Sequence, residues 1–331
     1  MKKFKITIVT LSLILFSCSK EDNGVAVLEP NIYISGHITS PTTGKTVPTY
    51  WKNGIATALT DGTKEASTDG IVVVNNDVYV VGSEENANGV FNAKYWKNGV
   101  PTTVAANLNV NTFSNAIYVI NNDVYVAGLE ITTSNNSSAK YWKNGVAVTL
   151  SNGITQDEAT GIFVQNNDVY VCGKVDNIAT YWKNGVVTNL SDGTKNERAR
   201  GLIVSNNDVY IFGIESTPQK PKYWKNGVQN VATTNPNLFC QTFGMDLLNN
   251  DVYLVGIEGF KAKYWKNGVG YNLDEGTQYS IAQGIKIFNN DIYIAGYQNS
   301  SIKLWKNGVS STIATDPFNQ IGVTGIFLTN Q

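Results

Sequence analysis

The chain has 331 residues, of which 15% are charged and 11% aromatic, and its formal net charge at pH 7 is −1. A near-neutral chain without basic clusters argues against a nucleic-acid-binding protein and against attachment to anionic lipid headgroups. One histidine and three cysteines are too few for most His/Cys metal sites, so most zinc chemistry is excluded and no metal or cofactor is expected.

The chain begins like a secreted protein. Residues 1–5 carry three lysines, residues 6–16 form an apolar run too short for a membrane span, and a small residue precedes Cys18. This pattern predicts a signal peptide over residues 1–17, whose loss removes three lysines and leaves a net charge of −4. Residues 15–18 (Leu-Phe-Ser-Cys) resemble a lipobox, which implies that Cys18 carries a lipid anchor. The alternative is a plain secretory signal with an incidental cysteine.

Residues 18–30 form a polar tether between the expected lipid and the first strand. Within it, residues 19–23 (Ser-Lys-Glu-Asp-Asn) resemble the acidic export signal of lipoproteins displayed by gliding and gut-dwelling Gram-negative bacteria. This resemblance implies an outer-membrane lipoprotein that is exposed at the cell surface.

Two phrases recur along the rest of the chain at a spacing typical of a repeat protein. Tyr-Trp-Lys-Asn-Gly, with Leu for Tyr in the last copy, uses all seven tryptophans and recurs every 40 to 46 residues. It occupies residues 50–54, 95–99, 141–145, 181–185, 223–227, 264–268 and 304–308. Asn-Asn-Asp-Val/Ile-Tyr, closed by a glycine three residues later, occupies residues 75–82, 121–128, 166–173, 206–213, 249–256 and 289–296.

Each unit reads as four strands. A short apolar run is followed by the Asn-Asn-Asp turn, a second strand, a loop, a third strand ending in Tyr-Trp, the Asn-Gly turn and a fourth strand. Asn-Gly favours a two-residue type I′ hairpin because both residues tolerate positive φ. No helical period is present, and β-branched and aromatic residues are enriched. Seven units of four antiparallel strands predict an all-β, seven-bladed β-propeller.

The chain ends predict how the ring closes. Residues 31–36 match the second strand of a unit that lacks its first, and residues 325–330 match a first strand that lacks its second. The N-terminal strands are therefore expected to pair with the C-terminal strand in a shared blade, giving one domain over residues 31–331. An open ring would leave a long apolar strand edge exposed.

Tryptophans repeated in every unit are interpreted as packing between blades, with an exposed carbohydrate platform as the alternative. The Asn-Asn-Asp phrases are interpreted as turns, because they lack the spaced acidic residues of a calcium loop. Cys172 and Cys240 lie in different repeats and are expected to be two packed thiols.

Variation between the units predicts where a ligand binds. The Asn-Asn-Asp and Lys-Asn-Gly turns are nearly constant and should share one face of the disc, the invariant face. The other two connections vary and should share the opposite, variable face, where binding residues are expected. The loops between blades end just before the innermost strand, so their last residues should ring the channel mouth. These residues are Asp69, Asn115, Thr160, Arg200, Phe243, Gln283 and Thr324.

Arg198 and Arg200 are the only arginines in the chain and complete this candidate ligand site. A guanidinium offers a planar fork for a carboxylate or another anion. The alternative is that they brace their own loop through Glu197. Asp157 and Glu158 in the neighbouring loop are candidates for a general acid and base, and His37 has no evident partner.

The Trp-x-Asn-Gly and Asp-Val-Tyr-x-x-Gly units resemble those of uncharacterised propeller lipoproteins of Bacteroidetes-type bacteria. The resemblance covers residues 31–330 and implies architecture but no catalytic residue; the Ser-x-Asp-x-Gly-x-Thr-Trp box of sialidase-type propellers is absent. Three functions remain open. The first is a non-catalytic surface module that binds a glycan or a protein. The second is a polysaccharide hydrolase or lyase using Asp69, Asp157 or Glu158 with Arg200, and the third is a structural or adhesive protein.

Overall fold

The computed structural model describes residues 29–331 except 106, 134, 135, 217, 218, 233, 236, 275, 277 and 317–320. The predicted signal peptide, Cys18 and the tether up to residue 28 lie outside the described residues. Within the described part of the chain, no helix is long and apolar enough to cross a membrane.

Twenty-eight strands form seven four-stranded antiparallel sheets arranged as a β-propeller, as the repeats predict. From the channel outward, blade 1 contains β28 (Gly322–Thr329), β1 (Asn31–Thr39), β2 (Thr46–Lys52) and β3 (Ile55–Ala58). Blade 2 contains β4 (Ala66–Val74), β5 (Asp77–Glu85), β6 (Phe91–Lys97) and β7 (Val100–Thr103). Blade 3 contains β8 (Thr112–Ile120), β9 (Asp123–Thr133), β10 (Asn136–Lys143) and β11 (Val146–Thr149). Blade 4 contains β12 (Glu158–Gln165), β13 (Asp168–Val175), β14 (Ile178–Lys183) and β15 (Val186–Asn189).

The last three blades repeat this order. Blade 5 contains β16 (Glu197–Ser205), β17 (Asp208–Ser216), β18 (Gln219–Lys225) and β19 (Val228–Val231). Blade 6 contains β20 (Cys240–Leu248), β21 (Asp251–Glu258), β22 (Lys261–Lys266) and β23 (Val269–Asn272). Blade 7 contains β24 (Ser280–Phe288), β25 (Asp291–Gln298), β26 (Ser301–Lys306) and β27 (Val309–Thr315).

Blade 1 closes the ring as predicted, because β28 from the end of the chain pairs with β1 from its beginning. The antiparallel register runs from Asn31 opposite Thr329 to His37 opposite Gly322. The innermost strands of all seven blades contact their neighbours in sequence around the channel, and β28 lies between β24 and β4.

The two invariant turns adopt the predicted left-handed geometry. In blade 2, Asn75 and Asn76 have φ of 52° and 67°, and Asn98 and Gly99 have φ of 51° and 84°. Each turn joins two strands through two residues, as in a type I′ hairpin. Asparagine and glycine occupy these positions because both residues tolerate positive φ.

The two invariant turns of each blade are also bound to each other. Asn98 Oδ1 accepts the backbone N–H of Val78 at 2.8 Å, and Asn98 Nδ2 donates to Asp77 Oδ1 at 2.7 Å. Lys97 Nζ lies 2.7 Å from the second Asp77 oxygen and 5.3 Å from the centre of the Tyr79 ring. We call this set of contacts among the Asn, Asp, Lys and Tyr side chains the clip. The same clip occurs in blades 3 to 7, and blade 1 has Asn31 in place of the aspartate. The two repeated phrases are therefore one structural unit.

The tryptophans are buried between blades, which confirms the structural interpretation and rules out an exposed platform of these rings. Their exposed fractions are 3% or less in every blade. Trp142 of blade 3, for example, packs with Tyr79 and Val81 of blade 2. Seven such clusters occupy the seven interfaces between blades. Cys172 and Cys240 are buried free thiols within two of them, as expected.

The innermost strands begin three or four residues earlier than the sequence indicates, because each contains a β-bulge. In blade 2 the pairing register shifts between Thr68 and Gly70, so Asp69 is the extra residue. Equivalent shifts occur in the other six blades. Opposite the bulge lies the last glycine of the Asn-Asn-Asp phrase; a Cβ on Gly82 would sit 1.9 Å from the Ser67 carbonyl oxygen. The repeated glycine is required by this close backbone approach.

Candidate functional site

The seven residues predicted to ring the channel mouth are the seven bulge residues. The expectation that they end loops is wrong, because each lies inside an innermost strand. The bulge turns these side chains toward the channel end on the variable face. Six of them line its cavities: Asn115, Thr160, Arg200, Phe243, Gln283 and Thr324.

The mouth consists of two connected levels. The outer one, about 190 Å³, is bordered by Arg198 and five of the bulge residues. The inner one, about 250 Å³, continues past the glycines of the innermost strands toward Ile203 and Lys286. The outer level is mostly polar, so it suits a hydrogen-bonding ligand rather than an apolar one.

Most bulge side chains are used to tie neighbouring blades together. Each of five contacts the residue just before the bulge in the next blade, which the sequence did not indicate. Asn115 Nδ2 donates to Ala159 O (2.8 Å), Thr160 Oγ1 to Ala199 O (2.8 Å), Arg200 Nη1 to Thr242 O (3.1 Å) and Thr324 Oγ1 to Thr68 Oγ1 (3.1 Å), and Ser114 Oγ donates to Asp69 Oδ2 (2.8 Å). Phe243 and Gln283 make no such contact among the described residues, so their side chains are available to a ligand.

Arg200 is the strongest candidate for ligand contact. Its guanidinium lies 5.1 Å from the centre of the Phe243 ring, and its buried Nε has no hydrogen-bond partner among the described residues. No described carboxylate lies within ion-pair distance of it. Burial, followed by repulsion from Arg198, lowers the pKa of Arg200 to about 10, so the side chain remains cationic at neutral pH. The mouth therefore holds a positive charge without a protein counter-ion.

Arg198, the other arginine at the mouth, already has a partner within the protein. It forms a two-point ion pair with Glu158 of the preceding blade, Nε to Oε1 and Nη2 to Oε2, both at 2.7 Å. The expected bracing by Glu197 is wrong, because adjacent residues of a strand point to opposite faces. Glu197 is buried and pairs with Lys222 at 2.7 Å. Arg198 borders the mouth, but its charge is already neutralised.

The carboxylates considered for catalysis are held in place by protein contacts. Asp157 is fully buried, and its Oδ1 accepts the backbone N–H of Asp176 at 3.0 Å. Glu158 is engaged by Arg198. His37 packs against the backbone of Gly322 in the closing blade, and burial lowers its pKa. These contacts give each of the three residues a structural role.

Asp69 is the one acidic bulge residue, and its burial raises the pKa to about 7 from 3.8, opposed by the hydrogen bond from Ser114. Between about pH 4 and pH 7 the folded protein keeps a proton that the unfolded chain has lost, so stability falls as pH rises through this window. We expect Asp69→Asn to raise the free energy of unfolding by about 1–3 kcal/mol at pH 8 and to change it little at pH 4. Urea denaturation at both pH values measures this.

The matched control is Asp61→Asn, in the loop that precedes β4. Asp61 is exposed, and its pKa is lowered by hydrogen bonds from Thr63, so the same substitution there should give no gain at pH 8. An equal gain for Asp69→Asn at pH 4 and pH 8 would show that ionisation of Asp69 does not destabilise the fold.

Sequence reasoning missed a second feature of the variable face, a row of aromatic rings on blades 6 and 7. Phe239, Phe260, Tyr279 and Tyr297 form this aromatic shelf, with neighbouring ring centres 6.1 to 6.4 Å apart. They come from four of the loops recognised as variable, about 20 residues apart, so no local pattern links them. The available signal was the concentration of aromatic residues in the loops of two repeats.

Comparisons with known proteins support the fold. No family model and no curated relative matches the chain. A puromycin-hydrolysing peptidase of Mycobacterium tuberculosis matches with a TM-score of 0.58 and 10% identity, over 85% of this chain and 53% of that one. A puromycin hydrolase matches at 0.60 and 9%, over 88% and 53%. The periplasmic gluconolactonase of Pseudomonas aeruginosa matches at 0.55 and 8%, over 90% and 98%.

These likenesses agree with the fold class that the sheet topology defines. The chain is a seven-bladed β-propeller with distant structural relatives among enzymes, and it spans about half the length of the two puromycin-hydrolysing proteins. At 8–10% identity the likeness shows the fold alone.

Proposed function

We propose that this protein is a non-catalytic binding module, anchored at the cell surface through lipid on Cys18, that holds a glycan or protein ligand on its variable face. The ligand contacts the channel mouth through an anionic group. The observation that carries the proposal is Arg200, a cation without a carboxylate partner in the described structure, lying over Phe243 at the mouth. A ligand carboxylate would supply the missing counter-ion by two-point hydrogen bonding.

The remaining mouth residues fit this role. Gln283 offers both a donor and an acceptor and has no hydrogen bond to the next blade. Phe243 presents an apolar surface beside the cation. The five tied bulge residues hold the mouth in one shape, so little conformational entropy is lost when a ligand binds.

Hydrolysis of a polysaccharide at the mouth is less well supported. Glycosidases use two carboxyl groups roughly 5–10 Å apart, one on either side of the bond that breaks. Asp69 has the raised pKa of a general acid, but Asp157 is buried and Glu158 is paired with Arg198. Among the described carboxylates considered for catalysis, Asp69 is one candidate acid, and neither of the other two is free to act.

The test is calorimetric titration of the chain from residue 19 onward, with Cys18 omitted, against oligogalacturonate and short acidic peptides. We expect Arg200→Ala to weaken binding at least about tenfold, because the ligand anion loses its charged partner. Arg200→Lys should be intermediate, because an ammonium cannot provide the planar fork.

Lys64→Ala is the charge-matched control, since it removes one cation from a different blade. The affinity of the Lys64→Ala variant for the titrated ligands should equal that of the unsubstituted chain. If Arg200→Ala binds as tightly as Lys64→Ala, the mouth is not the binding site. Chromatography of the titration mixtures reports any cleavage, and the appearance of shortened oligosaccharides would overturn the non-catalytic assignment.

A further inference from the structure

Three of the four rings of the aromatic shelf are exposed. Phe260 is 61% exposed, Phe239 42% and Tyr279 41%, whereas the repeated tryptophans are buried. The Phe239 and Phe260 rings are nearly parallel, at 7°, with centres 6.4 Å apart. The row continues from Phe260 to Tyr279 and from Tyr279 to Tyr297, each at 6.1 Å. Side chains of this size normally stabilise a core, so their exposure indicates contact with a ligand.

Phe260 also holds a strained backbone conformation. It is the second residue of the two-residue tip between β21 and β22, with φ of 67°. Every other non-glycine residue with positive φ in the described structure is asparagine or aspartate. A bulky apolar residue is disfavoured there because its Cβ crowds the backbone. Strain of this kind is found at functional sites, and here it is retained by a side chain that faces solvent.

Backbone hydrogen bonds fix the shelf in place. The carbonyl of Phe239 accepts the N–H of Gly259 at 2.9 Å, and the carbonyl of Phe260 accepts the N–H of Ser280 at 3.1 Å. The carbonyl of Tyr279 accepts an N–H from the β25–β26 tip at 3.2 Å. Each bond joins one ring-bearing segment to the next along the row. Phenylalanine and tyrosine have only two side-chain torsions, so the rings are pre-organised for stacking.

Two carboxylates close in sequence to the shelf residues are held by contacts within the protein. Glu258 forms an ion pair with Lys263, and Asp274 Oδ2 accepts a hydrogen bond from Gln298 Nε2 at 2.6 Å. These two carboxylates are therefore occupied. Tyr279 and Tyr297 add two hydroxyl groups toward one end of the row. The shelf thus combines apolar ring faces with hydroxyl groups.

We propose that the aromatic shelf stacks the pyranose rings of a glycan; this inference rests on the proposed function, because it takes the variable face as the binding face. Pyranose rings present C–H groups that carry slight positive charge, and these pack against the negative faces of aromatic rings. Their hydroxyls can bond to tyrosine hydroxyls at the same time. The ligand class of the variable face is then carbohydrate.

The size of the shelf favours a glycan over a protein partner. Its exposed ring surface is on the order of 300 Å², taking about 200 Å² for each side chain. A stable protein interface needs roughly 800 Å² from each partner. A row of separate rings also differs from the compact central cluster that forms the hot spot of a protein interface. The acidic net charge of the chain after residue 17 disfavours nucleic acid, although bases also stack on aromatic rows.

The test uses the chain from residue 19 onward, titrated with cellohexaose, xylohexaose, laminarihexaose and oligogalacturonate. We expect Phe260→Asn to weaken binding about tenfold, because one stacking ring is lost. We expect the melting temperature of this variant to equal that of the unsubstituted chain or to exceed it by about 2 °C, because asparagine adopts the left-handed backbone conformation with less strain. Weaker binding together with unreduced stability separates a contact role from a packing role.

Ile154→Asn is the matched control, because Ile154 is 69% exposed in a variable-face loop of blade 4 and is not aromatic. Its affinity should be unchanged. If binding survives Phe260→Asn but is lost in Arg200→Ala, the proposal of stacking on the shelf is wrong and the proposal of binding at the mouth is retained. If binding is lost in Phe260→Asn but survives Arg200→Ala, the result supports the shelf and counts against the mouth. Failure of all four probes overturns the glycan assignment and leaves a protein as the occupant. A lower melting temperature for Phe260→Asn shows that the ring is structural and also overturns it.

Discussion

Deletion of residues 322–331 is expected to abolish cooperative folding of the whole propeller near physiological temperature. The deletion removes β28, whose Val323 and Ile326 are buried in the cluster between blades 7 and 1. Each fully buried aliphatic side chain contributes about 1.5–3 kcal/mol, and total stability is typically about 5–15 kcal/mol. The loss also exposes the inner edge of β1 along its full register with β28. We expect a fall of at least about 15 °C in the melting temperature, measured by calorimetry.

A shorter deletion provides the control. Residues 330–331 lie beyond β28, and Asn31 Nδ2 donates a hydrogen bond to the Asn330 carbonyl at 3.3 Å. Their removal should shift the melting temperature by no more than a few degrees. A chain ending at residue 321 that melted like the parent would show that six complete blades and a three-stranded remnant suffice, and that ring closure is dispensable.

Gly82→Ala is expected to destabilise the protein by about 3–5 kcal/mol, a large effect for a single methyl group. The added Cβ would lie 1.9 Å from the Ser67 carbonyl oxygen and 3.1 Å from Thr68 Cα. Both atoms are backbone, so no side chain can rotate away, and the bulge beside Asp69 would have to open. The φ of Gly82 lies outside the left-handed region, so the cost is steric rather than conformational. Urea denaturation measures it directly.

Gly70→Ala is the matched control in the same pair of strands. A Cβ there would lie 3.9 Å from its nearest neighbour, Val81 Cγ1, and blade 3 has Ala116 at the equivalent position. We expect a change within about 1 kcal/mol, because alanine also restricts the unfolded chain. Similar losses for Gly82→Ala and Gly70→Ala would show that the close approach at the bulge is not what the repeated glycine provides.

The architecture follows from the sequence because its determinants repeat. Asparagine and glycine at the turns and tryptophan on the third strand specify the same local geometry in repeat after repeat, and matching half-units at the two chain ends specify how the ring closes. The bulges could not be recognised in the same way. Their residues vary in size and charge between blades, from Asp69 to Phe243, and only threonine occurs twice, so they resemble the loops that precede them.

The arrangement of the residues predicted for the channel mouth follows from the sequence only in part. The bulge residues do surround the channel, but the bonds that tie them to the next blade span about 40 residues and leave no local signal. The partner of Arg198 was predictable in part. Strand alternation places Glu197 and Arg198 on opposite faces, which excludes their pairing, although the true partner Glu158 lies in another blade. The shelf depends on the backbone conformation of Phe260, which the sequence alone does not specify.

The clip between the two invariant turns has a consequence for how such a protein diversifies. All its members lie within about 22 residues of one blade, and every interface between blades is filled by the same tryptophan. Each blade therefore contains all the contacts of its own clip and presents the same tryptophan-filled interface to a neighbouring blade. A gene segment that encodes one blade can consequently be duplicated or exchanged as a whole. Substitutions in the loops of the opposite face leave the clips intact, because no member of a clip lies in those loops. The invariant face holds the two turns of each blade together, and the variable face can change its loops without breaking those contacts.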